Sequence, residues 1–146
     1  PSSPETFREQ VVDDNGNIRS DEHGYMKGAD VFNFVLKEIP KDIFNLVEFS
    51  GSSLESLDFY YFHHANNFMN TYLAKKLKLP KDKVPSSIGK FGNTSSVSIP
   101  LTIVSEFGGE EDVDMAVLMS GFGAGMSWAS GILNLSQCRI CPLVEI

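Results

Sequence analysis

Phe59-Tyr60-Tyr61-Phe62 is the stretch that most limits what this chain can become. It is an unbroken aromatic run, too short for a core helix and made of strand-forming residues. Residues 58–63 are therefore predicted to form a strand buried on both faces. The run ends abruptly in His63-His64-Ala65-Asn66, and a helical pattern follows. Open α/β sheets place their chemistry at the exit of a buried strand, where the next helix starts.

The rest of the chain sets the scale around that strand. With 146 residues it has room for one domain, at the small end for a sheet covered on both sides. Hydrophobic residues at 42% and charged residues at 21% describe an ordinary globular composition. A net charge of −7 argues against nucleic acid, whose phosphates need a basic face, and disfavours anionic membranes. No apolar run approaches the roughly 20 residues that span a bilayer. The first residues lack the basic start and apolar core of a signal peptide. Two cysteines make no disulfide framework. These features predict a soluble, cytoplasmic protein.

Along the chain, Asp14-Asn15-Gly16-Asn17 separates Val11-Val12 from Ile18-Arg19, and Asn-Gly favours a tight hairpin turn. Asp13, Asn15 and Asn17 alternate as calcium ligands do. However, Ile18 stands where such a loop needs glycine, and the closing glutamate is missing, so residues 1–25 read as a hairpin and linker. Val31, Phe32, Val35 and Leu36 open an amphipathic helix, Pro40 interrupts it, and Ile43, Phe44, Val47 and Phe49 begin a second. Asn66 suits a helix N-cap ahead of the apolar face formed by Phe68, Met69, Tyr72, Leu73 and Leu77. A short strand is predicted near 86–88. Next comes a buried helix between Val97 and Phe107, kinked near Pro100. Strands at 113–119 and 128–135 complete the set. This order is α/β with a mixed sheet.

Two motifs carry less than they suggest. Gly121-Phe122-Gly123-Ala124-Gly125 has the spacing of a dinucleotide fingerprint but runs on towards a strand instead of opening a helix, so a tight turn is predicted. Cys138 and Cys141 would supply only half of a structural zinc site, and no second pair exists. No metal site is predicted. His63 and Asn93, by contrast, both stand at strand-to-helix entries. An imidazole N–H and a carboxamide N–H aimed at one point form an oxyanion hole, worth about 3 kcal/mol per good donor.

His63-His64-Ala65-Asn66 resembles the His-Gln-Ala-Asn motif of the β-ketoacyl-acyl carrier protein synthase III family, within the thiolase superfamily. Gly92-Asn93-Thr94-Ser95-Ser96-Val97-Ser98-Ile99-Pro100 looks like that family's Gly-Asn-Thr-Ser segment. Met26-Lys27-Gly28-Ala29-Asp30-Val31-Phe32 and Phe122-Gly123-Ala124-Gly125-Met126-Ser127-Trp128 match two further family stretches, in order and spacing. The likeness spans about residues 24–135 and is to the C-terminal half only of the family's duplicated α-β-α-β-α layered, thiolase-like fold. Residues 26–146 would then be that C-terminal domain, with the N-terminal half and its nucleophilic cysteine absent.

The resemblance implies a decarboxylating condensation between an acyl thioester and malonyl-acyl carrier protein, in fatty acid or related lipid or polyketide synthesis. His63 and Asn93 would be catalytic, gripping the thioester oxygen while malonyl loses carbon dioxide. Met26, Gly28, Phe32, Ala65, Asn66, Phe122 and Gly123 would line the tunnel for the pantetheine arm. Lys75 and Lys76 would help dock the carrier, although family members often carry basic residues where Asn33 and Phe68 stand here. No cofactor is implied beyond the phosphopantetheine that substrates carry as coenzyme A or acyl carrier protein. The partners implied are acyl-coenzyme A, malonyl-acyl carrier protein, the N-terminal half of the same enzyme and a second copy in a homodimer. Without the cysteine, this chain alone should form no acyl-enzyme. Two rivals keep the fold: acyl transfer to a hydroxyl or amine acceptor with His63 as base, and a non-catalytic partner subunit.

Overall fold

The structure, a computed structural model, describes residues 11–19, 27–123 and 125–144. In chain order its main elements are β1 (Val11–Val12), β2 (Ile18–Arg19), α1 (Gly28–Ser50), β3 (Phe59–Phe62), α2 (Asn67–Lys76), α3 (Ile88–Phe91), α4 (Ser98–Phe107), β4 (Ala116–Gly123) and β5 (Ser127–Asn134). β1 and β2 form a small antiparallel hairpin. Its loop is closed by Asp13, whose carboxylate accepts from the backbone N–H of Asn15 and Asn17 and from the Asn17 amide. The alternating polar residues are thus spent on the turn itself.

The main sheet has the order β3-β4-β5, parallel then antiparallel, which makes it mixed. Alternation along β3 divides the core in two. Tyr60 and Phe62 point to the side where α1 and α2 contribute Val35, Ile39, Ile43, Met69 and Leu73. Tyr61 points the other way, with Val117 and Met115, towards Ile99, Ile103 and Phe107 of α4. Tyr60, Tyr61 and Phe62 are each buried, as the doubly covered strand requires. β3 therefore sits between two helical layers, and its C-terminal end is fixed by the ladder bond from His63 N–H to the Ser120 carbonyl (3.0 Å).

Four expectations need correction. Pro40 does not divide α1, which runs unbroken for 23 residues. Proline there leaves the Leu36 carbonyl without its helical donor. The Lys76 ammonium fills the gap from α2, donating to that oxygen at 2.6 Å. A long-range contact thus offsets a local break. The expected strand at 86–88 is absent among the described residues. The segment instead enters the single-turn helix α3, and buried Ser87 bonds the Thr102 hydroxyl (2.8 Å). The strand expected at 113–119 pairs from Ala116 and continues through both Gly121 and Gly123. The reversal lies further on, at Gly125 (φ +114°). The helix before it, α4, buries only Ser98 and Thr102 fully. Pro100 occupies its first turn, where the missing N–H costs nothing.

Asn66 caps α2, its side-chain oxygen accepting from Met69 N–H at 2.8 Å. Of the apolar face read for α2, Met69, Leu73 and Leu77 are buried, while Phe68 and Tyr72 are exposed.

The Pro40–Lys76 pairing yields a direct expectation. Lys76→Met should destabilise the chain by about 1 kcal/mol. In a Pro40→Ala background the loss should shrink, because the restored N–H satisfies Leu36. Urea midpoints of the four proteins measure the coupling. Equal losses in both backgrounds would disprove it.

Candidate active site

A cleft of about 1130 Å³ opens at the C-terminal end of β3. His63 reaches it because β3 ends one residue earlier. Asn93 reaches it from the loop between α3 and α4. That loop is bent by Gly92, whose φ of +68° and ψ of −153° lie in a region essentially only glycine adopts. Ser95 follows at φ +56°. Its N–H donates to Asn93 Oδ1 at 2.9 Å. The carboxamide oxygen is thereby occupied, and both protons on Nδ2 remain uncommitted among the described residues.

The His63 ring is held from two sides. Its Nδ1 lies 3.0 Å from Ser98 Oγ, and the Phe122 ring meets it edge-on at 5.5 Å, with an interplanar angle of 89°. Burial lowers its pKa below the ordinary 6.5, and a hydrogen bond to the Ser95 backbone partly offsets this. His64 is fully buried. Its Nε2 lies 3.4 Å from the Thr102 hydroxyl, while its Nδ1 has no partner among the described residues. Burial lowers its pKa, and His63 lowers it further. Both imidazoles are therefore neutral near pH 7. A neutral ring offers one donor nitrogen and one acceptor nitrogen.

Gly28, Ala65, Asn66, Phe122 and Gly123 line the same cleft as His63 and Asn93. Phe32 does not line it. Its ring stacks on Phe68, with centroids 5.7 Å apart. Met26 lies outside the described residues. Lys75 and Lys76 are exposed on α2, and Lys76 is already committed to α1. Sequence reasoning missed Ser98, which lines the cleft and is buried. Its signal was a polar pair, Ser98 and Thr102, one turn apart in the mostly apolar first half of a helix. Among the described residues, no three His, Cys, Asp or Glu side chains group to hold a metal, and no helix is long and apolar enough to cross a membrane.

The lowered histidine pKa values set a pH dependence. The unfolded chain, with histidines near 6.5, binds more protons than the folded one once pH falls past that value. This contribution to stability is complete above 6.5 and is lost progressively below it. Melting temperatures from about pH 8 to about pH 5 should show the fall, and His64→Gln should make it shallower. An unchanged slope in that variant would contradict the assignment to His64.

Comparison with known proteins bears on the same residues. Residues 47–135 match the profile of the 3-oxoacyl-[acyl-carrier-protein] synthase III C-terminal domain. The chain is 38% identical over 111 residues to β-ketoacyl-[acyl-carrier-protein] synthase III 1 of Halalkalibacterium halodurans, covering 75% of this chain and 35% of that protein. It is 31% identical over 132 residues to the corresponding synthase III of Streptococcus agalactiae, covering 88% and 39% respectively. The crystal structure of a 3-oxoacyl-(acyl-carrier protein) synthase from Burkholderia xenovorans superposes with a TM-score of 0.78 at 40% identity, over 84% of this chain and 35% of that one. The chain thus spans well under half the length of these relatives.

Proposed function

Because the chain belongs to the 3-oxoacyl-[acyl-carrier-protein] synthase III family, as its C-terminal, thiolase-like α/β half, we propose that it supplies the oxyanion-binding half of a decarboxylating condensing enzyme. The observation that carries this reading is the meeting in one cleft of His63 and Asn93, the latter with its oxygen occupied and its amide protons uncommitted among the described residues.

Malonyl thioester enters the cleft by its pantetheine arm, along Ala65, Asn66, Phe122 and Gly123. As the bond to the carboxylate breaks, carbon dioxide leaves and the electron pair becomes an enolate, its charge resting on the thioester oxygen. The His63 and Asn93 N–H groups stabilise that charge as it develops. The enolate carbon then attacks an acyl group held on a cysteine thiolester, and the thiolate departs. The cysteine belongs to the other half of the enzyme, whose counterpart is the remaining length of the relatives. Acyl-coenzyme A and malonyl-acyl carrier protein are the substrates we assign. No resident cofactor is required. A homodimer acting in the cytoplasm, in fatty acid or related synthesis, is the setting.

The test uses protein in which this chain is joined to that other half. Supplied with acyl and malonyl thioesters, it should release carbon dioxide in step with 3-oxoacyl product. Transfer of the acyl group to a hydroxyl or amine acceptor, with malonyl thioester left intact, would overturn the proposal.

A further inference from the structure

We propose that Ser98 is the residue that decides which nitrogen of His63 carries the proton, a positioning role whose catalytic meaning rests on the reading above but whose geometry does not. Ser98 opens α4 and is only 1% exposed. Its Oγ lies 3.0 Å from His63 Nδ1 and accepts from the backbone N–H of His64 at 3.3 Å. A hydroxyl has one proton and two lone pairs. The His64 amide can only donate, so it takes a lone pair. The remaining proton, buried, needs an acceptor. Of the two partners that Ser98 Oγ has among the described residues, only His63 Nδ1 can accept it. The hydroxyl therefore donates to Nδ1, which must be bare, and Nε2 carries the imidazole proton.

The hydroxyl is itself held in place. The Ser98 carbonyl accepts from the Thr102 hydroxyl at 2.8 Å, and Thr102 Oγ1 lies 2.8 Å from Ser87 Oγ and 3.4 Å from His64 Nε2. The first turn of α4 is thus tied to both histidines and to the entry of α3. A ring protonated at Nε2 has its one donor there, not a lone pair. The hydrogen bond to the Ser95 backbone is then made by that same N–H, and a thioester oxygen would compete for it. A donor suits an anion on a thioester oxygen. It does not suit removal of a proton from a hydroxyl or amine acceptor.

Long-range 1H–15N correlation spectra of the labelled chain read the tautomer directly. His63 should show a pyridine-type Nδ1 and a pyrrole-type Nε2. Ser98→Ala should move both shifts towards the average of the two tautomers, and Ser98→Thr should restore the wild-type pattern. A wild-type spectrum with the proton on Nδ1 would overturn the proposal whether or not Ser98→Ala folds. So would a folded Ser98→Ala variant with unchanged shifts. A protein that keeps this Ser98-dependent tautomer, yet condenses normally as His63→Ala, would sustain the role of Ser98 and refute the proposed reaction.

Discussion

Replacing His63 by alanine, in protein containing both halves of the fold, is expected to cut carbon dioxide release from malonyl thioester by a factor on the order of 10²–10³. Asn93→Ala should lose a similar factor, because each side chain supplies one donor to the same developing charge. Both interactions strengthen only as the enolate forms, so kcat should fall while KM changes little. The double variant should lose less than the product of the two, since neither donor acts alone. Initial rates with malonyl thioester, after correction for spontaneous decarboxylation, provide the measurement. Normal turnover by either single variant would remove that residue from the mechanism.

The second large effect falls on the strand that carries His63. Phe62 is 2% exposed and packs between the sheet and the α1–α2 layer. Phe62→Ala is expected to cost about 3–5 kcal/mol, the range for deleting a buried aromatic ring. A domain of this size has about 5–15 kcal/mol to lose, so the variant should be largely unfolded on modest warming. Urea denaturation followed by circular dichroism reads the loss. A shift below about 1 kcal/mol would mean that the ring is not central to the core. Because His63 is the next residue, the variant should also disorder the cleft.

The elements that sequence disclosed were those whose signals are local. The aromatic run 59–62 had to be a doubly covered strand. Asn66 had the chemistry of a cap, and the Asn-Gly pair that of a hairpin. His63 stood out as a polar group at a strand-to-helix entry. Asn93 was read the same way but follows the helical turn α3, and the structure brings both to one cleft. What stayed hidden depends on partners far along the chain. Pro40 reads as a break because the donor that replaces its amide, Lys76, sits on another helix, 40 positions along the chain from the Leu36 carbonyl. Gly121 and Gly123 read as a turn because glycine weakens a strand, yet pairing with β5, opposite Ala129 and Ser127, carries β4 through them. Phe32 was assigned to the tunnel by motif alone, while its ring is taken by Phe68. Ser98 was passed over because a serine among apolar residues is unremarkable until both histidines are seen beside it.

Lys76 shows how a single amine can belong to architecture and to charge at once. Acetylating it would strip a cation from the α2 surface and, in the same event, replace the charged donor to the Leu36 oxygen of α1 by a bulkier, neutral amide N–H, weakening that contact. The two consequences respond differently to ionic strength: screening weakens attraction to an acidic visitor but leaves a missing amide unrepaired. Any effect of such a modification on a charged partner therefore has to be measured against the loosening of the helix pair before it is credited to electrostatics.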